Sequence, residues 1–73
     1  MKNLKKHIAE IIAKRNHLET TAVDVLYVHH NDAANHYRVT VKNTWIEEGS
    51  ETEIVTFNDI LIHLCNKIEE LSN

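Results

Sequence analysis

The chain has 73 residues, with 8 Lys and Arg against 11 Asp and Glu, six His, one Cys, one Gly and no Pro, for a net charge of −3. That length holds one domain, residues 1–73, and buries only about 60% of its unfolded surface, so a metal, a disulfide or a partner is the usual support. The lone Cys65 excludes an internal disulfide, and the scarcity of glycine and proline excludes linkers and low-complexity segments.

Residues 3–17 read as an amphipathic helix. Leu4, Ile8, Ile11 and Ile12 share one face with the stem of Arg15, and Lys6, Glu10 and Lys14 lie opposite. Leu18 is expected to tuck the helix exit into the core. Residues 22–30 are β-branched and aromatic, as strands are. Residues 31–35 form a turn. Residues 36–46 give the clearest strand, where Tyr37, Val39, Val41 and Trp45 alternate with Arg38, Thr40, Lys42 and Thr44. Trp45 is expected in the core. Residues 47–51 form a second turn, with Gly49 placed for a positive φ. Residues 52–57 make the third strand.

The last element is a helix over 57–71. Thr56 and Asp59 have the spacing of a capping box, and Val55 and Ile60 that of a hydrophobic staple. Phe57, Ile60, Leu61, Leu64, Ile68 and Leu71 are expected to form its buried face, with Cys65 buried beside them. The element order is therefore α-β-β-β-α. The expected fold is α+β, a three-stranded antiparallel meander with two helices packed on one face. Helices that each run opposite to the adjoining strand would be parallel, bringing Lys14 and Arg15 towards Glu69 and Glu70.

No catalytic constellation assembles. Ser50 lies in a turn and Ser72 at the end, His63 and Cys65 do not face each other on a helix, and one glycine cannot build a phosphate loop. The chain reads as a non-enzyme without cofactor. His29, His30 and His36 surround the first hairpin loop with Asp32, but His29 and His30 point to opposite faces. No Cys-x-x-Cys or His-x-x-x-His pair exists, so no metal is assigned. No stretch approaches the roughly 20 apolar residues of a membrane span. Glu10 breaks the apolar run after the first lysines, against a signal peptide, and the single thiol fits the cytoplasm.

Charge is sorted along the chain. Residues 1–18 carry Lys2, Lys5, Lys6, Lys14 and Arg15 against Glu10 alone, while residues 44–73 carry seven acids against Lys67. Such polarity points to binding surfaces. The leading expectation is an acidic protein that occupies a surface of a larger protein, with Glu47, Glu48, Glu51 and Glu53 meeting a basic groove. Leu26, Val28, Arg38 and Lys42 are expected on the open sheet face as a second contact region. In size and charge alone the chain resembles phage- and plasmid-type inhibitors of host defence, anti-CRISPR proteins among them. The alternative is a homodimeric structural or regulatory module that uses that open face.

A nucleic-acid reading would rest on Lys2, Lys5 and Lys6 and on the sheet residues Arg38 and Lys42. In element order and length the chain resembles a double-stranded RNA-binding domain. That family places a lysine-rich segment where this chain has Thr56-Phe57-Asn58-Asp59, and a Gly-Pro-His type hairpin where this chain has His30, Asn31, Asp32 and His36. No functional residue is carried over, and an acidic back half would repel RNA.

Overall fold

The computed structural model describes residues 3–47 and 49–72. Lys2 and Glu48, two of the expected binding residues, lie outside them. The elements run α1 (Leu4–Arg15), a 3-10 turn (Thr20–Ala22), β1 (Val23–Asn31), β2 (His36–Asn43), β3 (Glu51–Thr56) and α2 (Phe57–Ser72). The strands form an antiparallel sheet in the order β1-β2-β3. This is the α+β architecture that the periodicities predict.

α1 ends as its sequence allows. Asn16 caps it, His17 takes a left-handed conformation with φ 56°, and the Leu18 amide donates to Ala13 O at 2.8 Å. Those bonds close a Schellman-type end without glycine. The first hairpin turn is similar: Asn35 adopts φ 55°, and the Ala34 amide donates to Asn31 Oδ1. Gly49, expected to need positive φ, does not adopt it. Among the described residues of the segment after β2, none is left-handed.

The core lies between α1 and the sheet. Ile8 and Ile12 meet Val39, Val41, Val55 and Ile60, all buried. β1 reaches this core through a bulge. Val25 pairs with Val41 and Tyr27 with Thr40, which leaves Leu26 as the extra residue. The inserted residue shifts the pleat by one. Val23 and Val25 before the bulge and Val28 after it therefore all pack against the core. Val28 thus leaves the open face on which it was expected.

β2 ends at Asn43, earlier than its alternation implied. Asn43 Oδ1 accepts the Trp45 amide at 2.9 Å, and the Thr44 amide donates to Ala22 O at 2.8 Å. These bonds turn the chain before Trp45, whose side chain is 60% exposed rather than in the core.

α2 follows β3 with no loop. The Asp59 amide donates to Thr56 Oγ1 at 3.0 Å and the Thr56 amide to Asp59 Oδ2 at 2.9 Å, the reciprocal pair of a capping box. Thr56→Ala is expected to cost about 1 kcal/mol. The urea midpoint checks this, and Thr56→Ser should stay near wild type.

Candidate functional site

Beyond the apolar packing of Ile60 and Leu64 against the core of Ile8 and Ile12, the two helices meet along a polar seam. Glu10 is its hub. Lys67 Nζ donates to Glu10 Oε2 at 2.8 Å, and His63 Nε2 lies 3.3 Å from Glu10 Oε1. His7, one turn earlier on α1, places Nδ1 3.5 Å from the same oxygen and its ring edge-on to that of His63, with centroids 5.4 Å apart. Burial alone would raise the Glu10 carboxyl. The hydrogen bonds and charges of Lys67 and His63 outweigh it and hold Glu10 below its ordinary value. The bond to Glu10 in turn holds the Lys67 ammonium above its ordinary value. His7 Nδ1 is buried with no hydrogen-bond partner, a state that costs about 1–3 kcal/mol when nothing compensates it.

The end of α1 lies beside the start of α2. Arg15 Nη1 donates to Ile54 O at 2.9 Å and to Glu53 Oε1 at 3.3 Å, and its Nη2 donates to Asp59 Oδ2 at 3.2 Å. Contacts from Arg15 to Asp59 and from Glu10 to Lys67 make the helices antiparallel where they touch. The parallel arrangement, with Arg15 near Glu69 and Glu70, is overturned. α2 starts directly at the end of β3, and α1 brings its last turn over that same edge strand.

This geometry breaks up the expected acidic cluster. Glu53 is bound by Arg15 and also accepts from Asn16 Nδ2 at 3.1 Å. It is a structural carboxylate. Glu47 and Glu51 remain exposed. On the open sheet face, Arg38 and Lys42 are exposed as expected, interleaved with Tyr27 and Ile54. Leu26 is exposed at the bulge beside them. Lys5 and Lys6 are exposed on the helix layer, so they and the sheet cations Arg38 and Lys42 belong to opposite sides of the sheet. The basic residues of the nucleic-acid reading do not form one patch.

The largest departure from expectation is on α2. Of its apolar face, Ile60 is buried and Leu64 half-buried. Leu61 is 60% exposed, Ile68 63% and Leu71 88%, and Cys65 beside them is also exposed. α1 sits over the His63–Lys67 side of the helix and leaves the Leu61–Ile68 side open. Phe57, Leu61, Leu64, Ile68 and Leu71 recur at alternating spacings of four and three, the pattern of a helix–helix seam. Sequence reading places this row and Ile60 in the core, where the structure puts Ile60 and Leu64 but leaves Leu61, Ile68 and Leu71 exposed. It missed His7, Glu10, His63 and Lys67 as a group. The His7-x-x-Glu10 spacing was the available signal, but the α2 half lies more than fifty residues away.

Among the described residues, no helix is long and apolar enough to cross a membrane. Compared with known proteins, the chain matches no family model, no curated protein and no solved structure. The functional reading therefore rests on its own geometry.

Proposed function

We propose that the chain is a non-enzymatic interaction module that works as a homodimer joined through α2. The observation that carries this reading is the Leu61–Ile68 stripe, an apolar helix face left open by its own fold. Surface area supports it. The chain exposes 5315 Å², against about 4,650 Å² for a folded monomer of 8.5 kDa. The excess approaches the roughly 800 Å² that each partner buries in a standard interface. The radius of gyration, 12.5 Å, likewise exceeds the about 11.2 Å of a compact chain of this length.

A second copy suits the stripe in charge. Asn58 and Cys65, both exposed and uncharged, flank it on the open side, so like charges do not face each other there across a two-fold axis. With the α2 helices crossing antiparallel, Cys65 of each copy lies near the axis. Sedimentation equilibrium at micromolar concentration is expected to give a dimer, and a short bis-maleimide is expected to join the two Cys65 thiols. A monomer at every concentration tested removes the reading.

The dimer leaves the open sheet face and the 44–47 turn free for a further partner. Exposed Trp45 and Ile46, beside Glu47, have the composition of an anchor for a larger protein. Occupation of such a protein's surface, by blockade rather than chemistry, is the role we assign to that turn.

A further inference from the structure

We propose that His7, Glu10 and His63 form a zinc site that clasps α1 to α2. The three donor atoms lie within 4.8 Å of one another. His7 Nδ1 and His63 Nε2 stand 3.5 and 3.3 Å from the same Glu10 oxygen. A tetrahedral zinc ion with bonds of about 2.0–2.1 Å holds its ligand atoms about 3.3–3.4 Å apart. Two of the three edges are thus already those of a zinc tetrahedron, and the third, between the two imidazoles, has to close from no more than 4.8 Å for an ion to sit between the three atoms.

Three further observations fit that occupant. His7 Nδ1 is buried and unbonded, and a cation gives its lone pair a partner. Glu10 is held by its other oxygen, which accepts from Lys67 Nζ, so the liganding oxygen stays turned towards both rings. Such a supporting bond is what orients carboxylate and imidazole ligands around a metal. The side chains of His7, Glu10 and His63 are 18%, 20% and 16% exposed, so water has access to the fourth coordination position. Two imidazoles and one carboxylate select a borderline divalent ion over calcium or magnesium, which prefer oxygen ligands. The ion would bridge the two helices on the polar side of their contact, outside the packing of Ile60 and Leu64 against the core. That is the kind of staple a chain of this size uses.

The strand-end histidines supply the control. His30 contacts Asp32 at 3.0 Å on the surface, away from the helix seam. Zn²⁺ alone, titrated calorimetrically into the chelator-stripped full chain, is expected to bind one ion per chain and to raise its melting temperature. His7→Gln with His63→Gln is expected to weaken binding by more than about 100-fold, beyond what loss of a supporting partner costs. In the unaltered chain, histidine ¹⁵N spectra are expected to show zinc displacing Nδ1 of His7 and Nε2 of His63 and leaving His29, His30 and His36 in place. Zinc that binds the double variant equally well, or that moves the strand-end histidines instead, overturns the proposal. So does a wild-type chain whose melting temperature zinc leaves unchanged.

Discussion

Ile8→Ala is expected to remove most of the folding stability of the chain. Ile8 is 0% exposed and sits at the centre of the cluster that joins α1 to all three strands. Deleting a buried isoleucine to alanine costs about 2–5 kcal/mol, because the cavity adds to the lost transfer energy. At about 0.05–0.15 kcal/mol per residue, a chain of this length holds only about 4–11 kcal/mol in total. Among the described residues its main core cluster has six buried side chains, all of them valine or isoleucine, which places it towards the low end. The urea transition is expected to fall to less than half its midpoint or to lose cooperativity. Leu71→Ala supplies the contrast. That side chain is 88% exposed, and its truncation in the monomer should stay within about 0.5 kcal/mol. Equal midpoints for the two variants would mean that α1 does not dock through Ile8.

The core was legible wherever one period held over a whole element. The 3.6 period of Leu4, Ile8, Ile11 and Ile12 and the alternation from Tyr37 to Val41 each specify one buried face, and the structure uses those faces. The capping box was legible because its two partners are three residues apart. What failed was information that no local pattern contains. A bulge at Leu26 changes which residues of β1 face inward, and alternation alone gives no sign of an inserted residue. Trp45 continues the alternation of β2, but Asn43 captures its amide and ends the strand first. Helix direction depends on which sheet edge α1 crosses, and that decides whether Arg15 meets Glu53 and Asp59 or the far end of α2. The polar seam of His7, Glu10, His63 and Lys67 exists only once that direction is set. Amphipathicity, finally, states that a helix face is apolar. It does not state that the same chain covers it.

That last distinction gives the second large effect. Leu61→Lys combined with Ile68→Lys is expected to convert the proposed dimer into a folded monomer. Each side chain is more than half exposed in the single chain, so neither change opens a cavity in the core. Burying a leucine or isoleucine side chain is worth about 1.5–3 kcal/mol. The two-fold axis doubles the number, and a lysine ammonium placed in the seam adds a desolvation cost that the partner helix cannot offset. Part of that sum is consumed by lost rigid-body freedom and side-chain ordering. Retaining about 3 kcal/mol of it still weakens the dimer by about a hundredfold, at 1.4 kcal/mol per tenfold. Concentration separates this effect from simple destabilisation. A dimer that folds and associates together melts at a temperature that rises with chain concentration. The wild type is expected to show that rise, and the double variant to melt at one temperature throughout with its circular dichroism intact. If the wild type instead melts at one temperature at every concentration and the double variant melts with it, the α2 stripe is not the face that a second copy covers.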